Sequence, residues 1–348
     1  MKEGVVRTTI GDIAPESLGW VLPHEHLKCT QLAVFVPPKN DAERCFAHVP
    51  VSEQQIDLIR EDPLQNLDNI YLPGGDVVQA EVNLFRQSGG GTIVDLTTVG
   101  LGRDVHEAAR IGEQCGINVV VATGYYVSAS HSSNIEQYTE EQLTAEMLGE
   151  IEHGIGGSSI RAGVIGEIGT SSEIHMNERK VLRAAAFASN ESGCAIVVHV
   201  QPPAWLGHEV LDLLLDAGAS ADRVALAHMD TALDTSYHAE LLDRGTHIMY
   251  DGFGLNWDFK SLGLEVPSDG QRVDAVMSLL ARGYGNHIMM SHDVCTKIHL
   301  SRFGGPGYAH LFTQIAPMLR AGGCSDTDLE RCFGKNPATF FAARKIER

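Results

Sequence analysis

The chain has 348 residues, 43% of them hydrophobic and 20% charged, with 13 prolines; this composition belongs to a folded protein with a large core and excludes a disordered or fibrous one. Lys and Arg number 26 against 45 Asp and Glu, a net charge of -19, whose field repels phosphate backbones and anionic lipid and so argues against nucleic acid or a membrane as partner. No run is apolar and long enough to span a bilayer, the first residues lack a secretory signal, and the seven cysteines are scattered with no CxxC pair, so a cytoplasmic protein with reduced thiols is expected.

Along the chain, short β-branched apolar runs alternate with amphipathic stretches, the pattern of parallel strands joined by crossover helices. Strands are predicted at 19–23, 92–97, 118–123, 163–168, 195–200, 224–228, 247–250 and 287–291. Helices are predicted at 77–87, 104–114, 140–152, 177–190, 208–217, 237–243, 270–281 and 308–319. Eight such units point to an α/β fold, a (β/α)8 TIM barrel, with a doubly wound open sheet as the alternative. The chain reads as one domain, 1–348. Residues 32–75 are too long for an ordinary connection and are expected to pack short helices, one of them near 52–60, over the barrel mouth as a lid or pocket wall, with a surface excursion remote from the chemistry as the alternative. After Gly323 two short helices are expected, with a break at Asn336-Pro337.

The first strand ends in His24-Glu25-His26. Side chains two apart on a strand share a face, so His24 and His26 reach the mouth together while Glu25 points away. His199 closes the fifth strand, His228 the sixth, and Asp293 follows the eighth. Taken singly, His199 or His228 reads as a core histidine bonded to a carbonyl. In a barrel, however, all strand ends meet at one face, and four imidazoles and a carboxylate gathered there read as a metal site.

The fourth strand carries Glu167 between Gly166 and Ile168-Gly169, a carboxylate that needs a cationic partner if buried. The expected arrangement is His24, His26 and Asp293 on one ion, His199 and His228 on a second, and Glu167 shared. Two divalent cations are expected, Zn2+ first, with Mn2+, Co2+ or Fe2+ as substitutes. Such a pair lowers the pKa of a shared water from about 15.7 toward 7, which makes a metal-bridging hydroxide the expected nucleophile and Asp293 the expected proton carrier.

The order HxH, strand-four carboxylate, His, His, Asp resembles the amidohydrolase superfamily. Three stretches, GYYVSASHSS at 124–133, GVIGEIG at 163–169, and SHDVCTK at 291–297 followed by RFGGPGY at 302–308, resemble the phosphotriesterase-related proteins from about Gly4 to Phe341. In bacterial phosphotriesterases the bridge is a carboxylated lysine; Glu167 stands in its place here. The resemblance implies a metal-dependent hydrolase of a carboxyl ester, lactone or N-acyl amide with an anionic group, phosphotriester hydrolysis being at most a side activity. It also implies a possible homodimer, dimers being common in the family. The alternative is a non-catalytic, metal-stabilised small-ligand-binding protein of the same fold.

For the small-molecule substrate, Lys297 and Arg302 after the eighth strand are candidates for binding an anionic end, with a solvated surface role as the alternative. Tyr125, Tyr126 and His131 after the third strand are candidates for lining the pocket, against simple packing. Asp251 after the seventh strand either orients a ligand histidine or caps a turn. His292, next to Asp293, is expected on the opposite side of the strand and outside the ligand set.

Overall fold

Eight strands run parallel: β1 (Trp20–Glu25), β2 (Gly90–Asp95), β3 (Asn118–Thr123), β4 (Val164–Gly169), β5 (Ile196–His199), β6 (Val224–Leu226), β7 (His247–Tyr250) and β8 (Ile288–Met290). They hydrogen-bond in sequence order as one sheet, with helices around it, a (β/α)8 barrel. The structure, a computed structural model, describes residues 2–39, 41–257 and 259–344.

Alternation along each strand builds two cores. Val21, Val94, Val120, Ala122, Val164, Val197, Ala225, Met249 and Met289 cluster inside the barrel. Their chain neighbours Leu22, Ile93, Val119, Val121, Ile165, Ile196, Leu226, Ile248 and Met290 pack in the outer cluster, where the surrounding helices contribute. The period of two therefore sends one set inward and one outward. Phe340 and Phe341 join the interior cluster, and Arg223, just before β6, donates to the Phe340 carbonyl at 2.8 Å. That end of the barrel is plugged at the strand starts, which leaves the strand ends for chemistry.

Between β8 and β1 the seam is completed by side chain as well as backbone. The His24 N–H donates to Ser291 Oγ (3.1 Å), and the Asp293 N–H donates to the His24 carbonyl (3.2 Å). The helices carry the expected start signals. Thr139 and Gln142 form a capping box on Glu140–Glu152, and Ser268 and Gln271 form another on Asp269–Ala281.

Within the long connection, Cys29–Thr30 pairs with Tyr71–Leu72, and short helices form at Asp41–Phe46 and Ile56–Glu61. Its hydrogen bonds reach segments that follow the last two strands: Lys297 and Ile298 donate backbone N–H groups to Asn69, and Ser261 donates to Asp62. The tail departs from expectation. Asp326–Glu330 passes through a wide helical turn, Arg331–Lys335, directly into Asn336–Phe341. Asn336-Pro337 marks no break because Pro337 stands at the start of the last segment, where its missing N–H is tolerated.

Candidate metal centre and active site

Glu167 lies at the middle of the expected cluster. Its Oε1 is 3.3 Å from His26 Nε2. Its Oε2 is 3.4 Å from His24 Nε2, 3.3 Å from His199 Nδ1 and 3.7 Å from His228 Nε2. Asp293 Oδ1 closes the group at 3.2 Å from His26 Nε2 and 3.8 Å from His24 Nε2. The six residues expected from sequence are thus brought together, and His24–His26–Asp293 and Glu167–His199–His228 each place three donor atoms close enough for one ion.

Each ring is set by a partner on its far side. Asp251 accepts from His24 Nδ1 at 2.7 Å and from His228 Nδ1 at 3.1 Å, so both rings carry the proton on Nδ1 and turn the Nε2 lone pair inward. His26 Nδ1 meets Thr97 Oγ1 at 2.8 Å, and Thr97 passes its own hydrogen to Asp95 through a short bond. Asp251 is fixed in turn: its N–H and that of Gly252 donate to Asp230, which pairs with the fully buried Arg272 at 2.6 Å. Sequence reading weighed Asp251 but missed Thr97, Asp95, Asp230 and Arg272, none of which stands in a motif with the ligands.

Two donor residues have left-handed backbone, His228 with φ 62° and Asp293 with φ 53°, which side chains seldom adopt unless held there. The His228 N–H is held by Asp251 (2.9 Å). Around Asp293, the His292 and Val294 N–H groups donate to Glu25 at 2.9 and 2.8 Å. Glu25 also accepts from Ser291 Oγ and His292 Nδ1, while His292 Nε2 accepts from Leu311. His292 therefore faces away from the cluster, and Glu25 is a holder of the seam that sequence reading left without a role.

The electrostatics call for cations. His24 Nε2, His26 Nε2, Glu167 Oε2, His199 Nε2 and Asp293 Oδ1 are buried without a hydrogen-bond partner among the described residues. His228 Nε2 and His199 Nδ1 face each other at 2.8 Å, a separation of two ring nitrogens that needs a proton or metal between them. Burial favours neutral His24, yet the charges of Glu167, Asp251 and Asp293 hold it up to about 10. Burial likewise opposes charge on His26 and His228, but carboxylates raise both. Burial and the neighbouring His228 lower His199. Against the cost of burial, His24 and the other rings lower Glu167. A site this hungry for protons fits divalent cations, and the imidazole and carboxylate donors are of the right type.

The substrate-binding candidates divide. Tyr126 is buried at the cluster, its ring 4.8 Å from that of His199 and its hydroxyl 3.4 Å from His199 Nδ1. Tyr125 packs in the outer core between sheet and helices, so the structure does not bring it to the cluster; burial and Glu146 raise its pKa. His131 Nε2 donates to the Tyr126 carbonyl (2.8 Å) beside a groove lined by Ser128, Ser132 and His175. Lys297 is paired with Asp68 at 2.6 Å. Arg302 is exposed and its backbone N–H is tied to Glu81. Alternation explains the tyrosines: adjacent residues leaving a strand face opposite ways, so one of the two is lost to the outer layer.

A (β/α)8 barrel with such donors at its strand ends defines a hydrolase scaffold with groups able to hold metal. The model of the Phosphotriesterase family matches residues 4–341, and the chain belongs to that family, whose members are metal-dependent hydrolases. It is 35% identical to an N-acetyltaurine hydrolase of Salmo salar, over 96% of this chain and 97% of that one. Among solved structures it is similar to a resiniferatoxin-binding protein from Rhodobacter sphaeroides (35% identity, TM-score 0.95, 97% of this chain and 95% of that one). It is also similar to a lactonase from Listeria monocytogenes (26% identity, TM-score 0.77, 98% and 100%).

Proposed function

We propose that the protein is a binuclear hydrolase that cleaves a short N-acyl amide bearing an anionic group, with N-acetyltaurine as the first substrate to test. Carboxyl esters and lactones, which pass through the same tetrahedral oxyanion, form the second class, and phosphotriesters a side activity at most. The observation that carries the reading is Glu167, whose two oxygens face four imidazoles while Asp293 stands at the open edge, 24% exposed against 9% or less for the rest. The full-length likeness to an N-acetyltaurine hydrolase favours the amide over the lactone.

His24, His26 and Asp293 would hold one ion, His199 and His228 the other, with Glu167 between; zinc is the first choice for these donors. Bound there, the cations supply Lewis acidity and an activated water at neutral pH. The chain does the rest. Asp293 Oδ1, buried at the edge and unpartnered, accepts the proton of the attacking water and returns it to the leaving nitrogen, which cannot depart as an anion. Asp251 and Thr97 keep the rings from turning. Tyr126, whose burial keeps its hydroxyl protonated, offers a donor beside His199.

Metal analysis of purified protein, followed by N-acetyltaurine, ester and lactone assays with and without chelator, tests this. About two equivalents of metal and chelator-sensitive release of taurine support the reading. Lactone turnover without amide turnover moves it to the second class. Tightly held metal with no turnover on any of the three favours the non-catalytic binding protein.

A further inference from the structure

Away from the histidine cluster, a second set of polar atoms is buried without partners. Trp257 and His299 are only 5% and 3% exposed, and their ring centres lie 5.1 Å apart. Trp257 Nε1 and His299 Nε2 have no hydrogen-bond partner among the described residues, and neither has Arg60 Nε. The Arg60 guanidinium carbon is 6.0 Å from the centre of the Trp257 ring, and its Nη2 is anchored on the Gly304 carbonyl at 2.7 Å. Ile59 and Ile298 pack with Trp257 in an apolar cluster, while the Arg60 side chain is 26% exposed.

All three open atoms are donors. His299 Nδ1 accepts the Thr296 backbone N–H at 3.1 Å, so the proton of the neutral ring is on Nε2. Burial holds this imidazole down to about 4, and at neutral pH it is uncharged. Indole nitrogen and guanidinium donate only. Proteins seldom bury even one N–H without an acceptor. Three donors in one neighbourhood, one of them on a cation, match an oxyanion that arrives from outside. Asp57 competes weakly for Arg60, being 96% exposed and 3.8 Å from Nη1.

The three come from different segments that meet on the catalytic side of the barrel. Trp257 follows β7, His299 lies six residues beyond Asp293, and Arg60 is at the end of the helix Ile56–Glu61 in the long connection after β1. We propose that Trp257, His299 and Arg60 form a subsite for the distal carboxylate or sulfonate of the substrate and so set the preference for anionic amides. In assigning the anion to a substrate the proposal rests on the hydrolase reading above; the binding itself does not.

Two measurements separate the two claims. Steady-state hydrolysis of N-acetyltaurine and of uncharged N-ethylacetamide gives the discrimination between them in kcat/KM. Trp257→Phe and Arg60→Gln should narrow that discrimination at least tenfold, chiefly through KM for the anionic amide, and Arg60→Lys should recover part of it. Parallel losses on both amides would mean that these residues only pack, and would overturn the subsite while leaving the hydrolase intact. Independently, intrinsic fluorescence of the full chain titrated with ethanesulfonate, against dimethyl sulfone as neutral control, should change saturably. Trp257→Phe should abolish the change and Arg60→Gln should shift its midpoint at least tenfold. If Trp257→Phe fails to fold, the Arg60→Gln titration decides. Saturable anion binding without amide hydrolysis would sink the amide reading and keep the subsite; no saturable change in the wild-type protein would sink the subsite.

Discussion

Glu25 grips the backbone on both sides of Asp293, taking the His292 N–H at 2.9 Å and the Val294 N–H at 2.8 Å. With φ 53°, Asp293 is turned so that its side chain enters the cluster while its neighbours are tied behind it. Glu25→Gln puts an amide donor where four donors now converge. The expected result is a loss of about 3 kcal/mol in stability, read from chemical unfolding, together with reduced metal content. Wild-type stability and metal content in this variant would show that the turn holds itself.

Asp251 serves His24 and His228 at once, so Asp251→Asn disturbs ligands assigned to both ions. Affinity for metal should fall about 10- to 100-fold, measured by competition with a chromogenic chelator. A change confined to one equivalent would contradict the shared role.

Glu167 and Asp293 should separate under mutation. Glu167→Gln removes the group that faces all four rings and should empty or loosen at least one metal position. Asp293→Asn should retain most of the metal yet lose about 10^2- to 10^4-fold in kcat, the range of a missing proton carrier. Unimpaired turnover in Asp293→Asn would falsify the proton-transfer role.

The hydrogen bond from His26 Nδ1 to Thr97 Oγ1 is the one that ring nitrogen makes among the described residues, and Asp95 stands behind it. Thr97→Val should weaken metal binding about tenfold. If the two act as one chain, Asp95→Asn added to Thr97→Val should cost little more; full additivity in a double-mutant cycle would show that they act separately.

Buried histidines away from the cluster set an acid limit. Burial holds His238 down to about 4 and His247 down to about 3, whereas in the unfolded chain both titrate near about 6.5. The unfolded state therefore binds more protons between those values. The stability they contribute is complete above about pH 6.5 and is lost as pH falls toward 4 and then 3. His247 Nδ1 has no partner among the described residues, so His247→Phe strands no hydrogen bond. Its unfolding midpoint should fall less steeply than wild type between pH 6.5 and 4. Identical slopes would place the acid sensitivity elsewhere.

Much of this was legible in the sequence because the barrel forces regularity on it. Strands at 118–123 and 247–250 are read without error, since a glycine stands within two residues of each end, Gly116 and Gly124 for the first and Gly245 and Gly252 for the second. β1 runs to Glu25 rather than Pro23 because the ligand pair is part of the strand itself. The hairpin of Val6–Thr8 with Gly11–Ile13 escaped notice: three residues cannot display a period of two. The ligands could be read because the fold maps strand ends to one rim. Their supports could not, since Thr97, Asp230 and Glu25 act through contacts that only the folded chain creates. Trp257, His299 and Arg60 were invisible for the same reason, being spread over three separate connections.

The seam between β8 and β1 has a consequence for how the protein comes to be active. Ser291, Glu25 and the His24 backbone lock the last strand to the first with the same few residues that aim the donors. A nascent chain can thus own most of its barrel and still lack the place offered by His24, His26 and Asp293, because Asp293 arrives only when the circle shuts. Full loading with metal would then report finished folding, and damage to the join would surface as an incompletely loaded protein before it surfaced as an unfolded one.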